Sequence, residues 1–165
     1  MDIKVIEKPR FLFSLPMTRL VHENFSIIMA FAFSRKPLER YMERFAGEWE
    51  YLRRALFEIA NERAEKACLE LALFLRLVDD EQDISGYYKQ VGRRPFGRLH
   101  LKNGDMQDLQ LRDVCNKIIH AKGLSWKFSG EADPILVCHS QKDEKWVTAE
   151  VDLFELAAFC GELMS

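Results

Sequence analysis

The sequence predicts an α+β fold that is mainly a helical bundle, with a small antiparallel β-sheet and a C-terminal helix. Apolar residues recur at helical spacing over residues 38–78, which predicts long amphipathic helices. Residues 135–151 contain two short alternating runs around a polar centre, which predicts a β-hairpin. Asp152 is a helix-capping residue type, so residues 153–164 are expected to form the closing helix.

With 165 residues, of which 48% are hydrophobic and 30% are charged, the chain is long enough for one domain with a substantial core. We expect a single domain over residues 1–165, with a helical part at about 17–122 and the hairpin and closing helix at about 124–165. The net charge of −2 argues against coating nucleic acid by bulk electrostatics, so any RNA contact must be local. The four cysteines are widely spaced and predict buried, reduced thiols, with no metal site and no cofactor.

The N-terminal residues predict neither a signal peptide nor a membrane span. Residues 1–8 lack a basic start followed by a long apolar run. The longest strongly apolar window, residues 25–33, is far shorter than the ~20 residues that a spanning helix needs. We therefore expect a cytoplasmic protein without membrane contact.

The first thirty-odd residues give two different local signals. Residues 1–16 are interrupted by Pro9 and Pro16, which predicts an extended arm packed on the body. Residues 25–33 alternate large and small side chains as a strand does, whereas their Met and Ala content suits a buried helix. The helix is favoured there, and the strand stays open.

The clearest periodic signal is a stripe of apolar residues at steps of four and three. Pro37 is expected in the first turn of its helix, with Gly47 as a weak point inside it. A second stripe continues after a one-residue shift, so residues 37–82 form one very long helix or two helices that meet near Asn61. Both stripes are expected to be packing surfaces. The first comprises Leu38, Met42, Phe45, Trp49, Leu52, Leu56 and Ile59, and the second comprises Ala60, Ala64, Ala67, Leu71, Phe74 and Val78.

An acidic run occupies residues 79–83. Carboxylates at alternate positions can chelate a hard cation, which raises the possibility of a metal site. The run lacks the glycine and the spaced partner carboxylate of a calcium loop. A solvated helix end is therefore the expected structure.

Residues 84–104 contain no acidic residue, four glycines and Pro95, which predicts a loop. Basic side chains beside aromatic rings can hold a backbone phosphate and stack a base of single-stranded RNA. An ordinary solvated loop, anchored by its aromatic residues, explains the same composition. The residues predicted to contact RNA are Lys89, Arg93, Arg94, Arg98, Lys102 and Tyr88.

A helix is expected over about residues 108–122, and Arg112, Asn116 and His120 recur on it at every fourth position. The three lie within an arc of about 80°, so a cation, an amide and an imidazole share one face that suits a phosphate. Arg112 and His120 are ~12 Å apart along the axis, and only a second, antiparallel subunit could bring them onto one phosphate. The core-facing side carries Leu111, Val114, Ile118 and Ile119.

The run from Cys115 to His120 resembles the signature of the HEPN superfamily, an Arg followed by a polar residue, often Asn, and then a His about four positions later. Asn116 and His120 match that pattern, whereas Cys115 stands at the position of the signature Arg. The resemblance implies a helical bundle that dimerises, and in active members it implies RNA cleavage without metal. His120 would then transfer protons, Asn116 would be the polar residue, and Arg112 would substitute for the missing Arg.

Ordinary structural roles are equally open for these three residues. His120 can hydrogen-bond the free carbonyls at the end of its helix. Asn116 can hydrogen-bond the neighbouring hairpin, and Arg112 can pair with Asp108 one turn earlier.

The resemblance implies a HEPN-like homodimer, and the missing Arg and the near-neutral charge favour a non-catalytic module that interacts with a partner or contacts RNA. The first alternative is a metal-independent ribonuclease that uses His120, Asn116 and Arg112. The second is a small-ligand or peptide-binding protein whose pocket lies between the hairpin and the helices, with Trp126 and Trp146 as its walls.

Overall fold

The computed structural model describes residues 6–44, 46–129, 133–141 and 145–165. Helix α1 spans Leu15–Glu39, so residues 25–33 are helical, as favoured above. Ser14 caps this helix by accepting a hydrogen bond from the backbone N–H of Met17. Residues 6–14 have no regular secondary structure and contact the body, which confirms the predicted arm for these residues; residues 1–5 lie outside the described ranges. The prediction is wrong for Leu15 and Pro16, which begin α1, because proline fits the first turn of a helix.

The chain between the two long helices differs from the prediction. Pro37 lies inside α1 near its C-terminal end, and it does not begin a new helix. Two short 3₁₀ turns follow, Met42–Arg44 and Gly47–Trp49. Gly47 has a φ of +59°, a left-handed conformation that interrupts the helical path at little cost for glycine. Phe45, a member of the first stripe, lies outside the described residues.

From Glu50 to Gln82 the backbone is helical without interruption, so no break occurs near Asn61. Neither alternative for residues 37–82 holds in full, because residues 37–39 end α1 and Glu50 begins a separate helical stretch. It consists of α2 (Glu50–Arg53), a π-helical segment (Arg54–Ile59) and α3 (Ala60–Gln82). The second stripe packs as predicted: Ala64, Ala67, Leu71 and Val78 are buried, and Ala60 and Phe74 are half-buried. The prediction that the first stripe packs is wrong for Trp49, Leu52 and Ile59, which are exposed. Steps of four and three fit 3.6 residues per turn, and both the 3₁₀ turns and the wider π-helical turn break that fit.

The segment 84–104 was predicted as a loop, and this is wrong at both of its ends. Helix α4 spans Ile84–Gln90 and strand β1 spans Gly97–Leu101. Asp83, at φ +50°, separates α3 from α4, and its carboxylate accepts a hydrogen bond from the N–H of Gly86. This local cap starts a helix directly behind the end of another.

Five strands form one antiparallel sheet in the order β2-β1-β5-β4-β3. The predicted strand near 124–128 and the predicted hairpin are present, although turn residues 142–144 lie outside the described ranges. The strand pair β1–β2 was not predicted. The bounds are Gly97–Leu101 for β1, Met106–Asp108 for β2, Gly123–Lys127 for β3, Ile135–His139 for β4 and Trp146–Asp152 for β5.

The remaining helices are α5 (Leu111–Ile119) and α6 (Leu153–Met164). Asp152 accepts a hydrogen bond from the N–H of Glu155 at 3.1 Å, so the predicted cap of α6 is confirmed. Buried residues of α1, α3, α5, α6 and the sheet form one contiguous core. Within the described ranges, no helix is long and apolar enough to cross a membrane.

Candidate functional site

Two residues of the candidate face of α5, Arg112 and Asn116, bind polar side chains of α3. Leu111, Val114, Cys115 and Ile118 of the same helix are buried, and α5 packs against α3. Gln110 and Asp113 form a reciprocal capping box at the start of α5 and fix where the helix begins. The orientation of the candidate face therefore follows from ordinary amphipathic packing.

Arg112 binds two carboxylates of α3. Its Nη1 lies 2.9 Å from Oδ2 of Asp79, and its Nη2 donates to Oδ1 of Asp80. The hydrogen bond from Arg112 lowers the pKa of Asp80, and the same bond raises the pKa of Arg112. The alternative that Arg112 pairs with Asp108 is wrong, because Asp108 pairs with Arg98 on the neighbouring strand.

Asp79 is the buried centre of this network. Its side chain has no solvent-exposed surface, and besides Arg112 it accepts hydrogen bonds from the N–H of Ser85 at 2.6 Å and the Ser85 hydroxyl at 2.7 Å. The prediction of a solvated helix end at 79–83 is therefore wrong for Asp79. The start of α4 turns back over α3, so Ser85 reaches a carboxylate six residues earlier in the chain.

Asn116 is also engaged by α3. Its Oδ1 accepts a hydrogen bond from Nη1 of Arg76, whose Nε donates to the carboxylate of Asp80. The alternative that Asn116 bonds the hairpin is wrong. Sequence reasoning missed Arg76, Asp79 and Asp80 as site residues. The local signals were the acidic run at 79–83, interpreted as a solvated helix end, and the spacing of Arg76 and Asp80, which places an opposite charge one turn away on the same helix.

His120 stands apart from the other two residues of the predicted triad. It is the C-cap of α5, where its backbone N–H bonds the carbonyl of Asn116, and its residue is exposed. The side chain makes no hydrogen bond or ion pair within the described part of the chain. Because Arg112 is held on the far end of α5, the structure does not bring Arg112 and His120 together within one chain.

Cys115 occupies the position of the HEPN-signature Arg and faces the core. The residue is 1% exposed, and burial raises the pKa of its thiol to about 12. All four cysteines are free and buried, as predicted. A buried neutral thiol supplies neither a cation for phosphate nor a reactive thiolate.

The six residues predicted to contact RNA line three separate cavities. Lys89, Arg93 and Tyr88 line a cavity of about 250 Å³ between α4 and α5, together with Arg112 and Asp113. Tyr88 packs in the core, and Arg93 lies over the rings of Phe96 and Phe159. A separate cavity is lined by Arg94 and Arg98, and Lys102 lines a third.

The two tryptophans proposed as walls of one pocket line different cavities. Trp126 lies edge-on to Phe31 and donates to Oδ1 of Asn61 at 2.8 Å, in a cavity of about 430 Å³. Trp146 lies beneath the ammonium of Lys117 in a cavity of about 910 Å³. The prediction of a single pocket between them is wrong, because the residues that line the two cavities do not overlap.

The site was also compared with known proteins. No family model matches the chain, and neither a curated protein nor a solved structure matches it. Among the residues that the structure describes, no three His, Cys, Asp or Glu side chains converge as a metal site.

Proposed function

We propose that this chain is a HEPN-like helical interaction module that acts as a homodimer and does not cleave RNA. The observation that carries the proposal is the bridging of Arg112 by Asp79 and Asp80. A phosphate that replaced these carboxylates would leave Asp79 buried beside Ser85 without its cation, and an unpaired buried charge is costly. Arg112 therefore serves the packing of α5 on α3.

The other two candidate catalytic residues support the same proposal. Asn116 uses its carbonyl oxygen on Arg76, and Cys115 contributes a buried thiol at the signature position. His120 is exposed, but Arg112, the cation of the predicted triad, is held by Asp79 and Asp80 near the other end of α5 and is not positioned to stabilise the charge of a phosphorane-like transition state beside the imidazole. The resemblance to HEPN proteins then concerns helix packing and dimer formation.

The experiment is a cleavage assay on fluorescent single-stranded and structured RNA in EDTA. We compare the wild-type protein with His120→Ala and Arg112→Ala at protein concentrations up to 10-fold above RNA. The expected result is no cleavage by any of the three, with a commercial ribonuclease as positive control. Cleavage by the wild type that His120→Ala removes would contradict the proposal and establish the ribonuclease alternative.

RNA contact without cleavage is a second candidate function. It is favoured by the cavity between α4 and α5, which Lys89 lines. Arg93 and Arg112 line the same cavity but are paired with carboxylates, Arg93 with Glu155 and Glu162 and Arg112 with Asp79 and Asp80, so Lys89 is the cation expected to contact a phosphate. A cavity of this size fits a phosphate or part of a nucleotide, and backbone phosphates supply most of the affinity in nucleic-acid binding. Asp113 shares the cavity, but its carboxylate is engaged with the backbone N–H of Gln110.

Binding of labelled single-stranded RNA, measured by fluorescence anisotropy at two salt concentrations, tests this candidate. Lys89→Glu is expected to weaken binding at least tenfold, and Arg63→Glu on the exposed side of α3 serves as a matched control for the same charge change. Equal binding by both variants would show that the cavity does not contact RNA.

A further inference from the structure

Helix α3 presents a row of exposed leucines on the side that faces away from the core. Leu69, Leu73 and Leu77 are 40%, 49% and 57% exposed. Their four-residue spacing aligns them along the helix, and at about 100° per residue Leu73 lies about 180° from the buried Ala64. We call these three residues the leucine row. Three large apolar side chains in one line on a helix are typical of a helix–helix contact.

The charges around the leucine row indicate which partner fits it. Lys66 and Glu70 lie on the N-terminal side of Leu73, at seven and three residues, and Arg76 and Asp80 lie on its C-terminal side, at three and seven residues. Suppose that a second copy of α3 packs antiparallel to the first, with the two Leu73 residues opposite each other. A residue that lies a given number of positions before Leu73 is then level with the residue that lies the same number of positions after Leu73 in the partner subunit. Lys66 then lies level with Asp80 of the partner subunit, and Glu70 lies level with Arg76 of the partner subunit.

The same reversal places Leu69 level with the partner's Leu77, so the whole leucine row is covered. A parallel pair in register would instead oppose Lys66 with Lys66 and Asp80 with Asp80, and like charges disfavour that arrangement. A twofold axis needs a self-complementary surface, and this face is self-complementary in both its apolar and its charged residues.

We infer that the leucine row of α3 is a homodimer interface in which two α3 helices pack antiparallel with Leu73 at the twofold axis. The inference rests on the proposed dimeric function and adds its surface and register. It places Asp80, which binds Arg112, at the edge of the interface. The α3–α5 network and the dimer contact then share two side chains, Asp80 and Arg76, which also binds Asn116.

Cysteine cross-linking tests the register, because the four native cysteines are buried. Leu73→Cys is expected to form a disulfide-linked dimer under mild oxidation. Leu69→Cys and Leu77→Cys are each expected to stay unlinked alone, because the two copies of either residue would be ~12 Å apart along the axis. A mixture of the two single variants is expected to link. Arg63→Cys, an exposed position off the row, is the control.

Sedimentation equilibrium of the wild type separates the inference from the proposed function. Leu73→Asp is expected to weaken self-association at least tenfold, while Tyr51→Asp, at an 80% exposed residue about 30 Å away along the helix, is expected to leave it unchanged. A dimer in which Leu69→Cys and Leu77→Cys each link to themselves, or which survives Leu73→Asp, overturns the α3 interface but keeps the dimeric module. A wild-type protein that stays monomeric over a 100-fold range of protein concentration overturns both the α3 interface and the proposed dimeric module.

Discussion

Oδ2 of Asp79 and Nη1 of Arg112 are 2.9 Å apart, although the two residues are separated by 33 positions in the chain. The carboxylate is fully buried and the guanidinium is half exposed, so the pair joins the interior of the α3–α5 contact to its surface. The same contact aligns Asn116 with Arg76. This network determines the position of Arg112 and Asn116 on α5.

Replacing Asp79 should destabilise the protein strongly. Asp79→Ala removes the acceptor of two hydrogen bonds from Ser85 and one partner of Arg112, so we expect the free energy of unfolding to fall by about 3 kcal/mol. Urea unfolding followed by circular dichroism measures this loss. Glu81→Ala, at an exposed carboxylate two residues later, should change stability by less than about 0.5 kcal/mol. Equal losses in the two variants would contradict the role given to the network.

The ion pairs of Asp80 should make stability depend on pH in the acidic range. Arg112 lowers the pKa of Asp80 from its ordinary value of 3.8, so the folded state binds its proton less readily than the unfolded state. The stabilisation is then complete above about pH 4 and is lost as the pH falls through the lower folded-state pKa.

The measurement is the urea midpoint of the wild type and Asp80→Asn between pH 2 and 6. We expect a lower midpoint for Asp80→Asn at pH 6 and a difference that shrinks below pH 4. Glu81→Gln, which removes an exposed carboxylate from the same helix, is the control. A difference that stays constant down to pH 2 would show that Asp80 contributes through packing alone.

Two glycine-to-alanine changes should have opposite effects. At Gly97, φ is +148° and an added Cβ would lie 1.9 Å from the backbone oxygen of Glu150, so Gly97→Ala should disrupt the pairing of β1 with β5. At Gly161 in α6 an added Cβ meets nothing within 4 Å, so Gly161→Ala should stabilise by about 0.5–1 kcal/mol. Thermal unfolding of both variants checks the two signs together.

The native cysteines should resist modification. Burial raises the pKa of Cys115 and Cys138 to about 12, and Cys68 and Cys160 are buried as well. We expect fewer than one of the four thiols to react with an aromatic disulfide reagent in an hour at pH 8, and all four to react in 6 M guanidinium. Fast reaction of any one thiol in the native protein would show that its segment opens.

Elements with local signals were predictable. The second apolar stripe identified α3 because burial of one helix face repeats every 3.6 residues, and Asp152 marked the start of α6 because its carboxylate caps its own helix. The pair β1–β2 gave no such signal. Strand β1 is five residues long and β2 is three residues long, too short for a clear alternating pattern. Strand β1 also depends on hydrogen bonds to β5, which lies some fifty residues later in the chain.

For the candidate site as well, local geometry was predictable from the sequence and contacts between distant segments were not. From the sequence alone, Arg112, Asn116 and His120 share a helix face and Cys115 turns towards the core, because a regular helix fixes these directions. Only the tertiary structure decided that Asp79 is buried and that Arg112 and Asn116 are bound by α3. The free energy of a charged or polar side chain depends on which groups replace its water, and those groups come from distant segments of the chain.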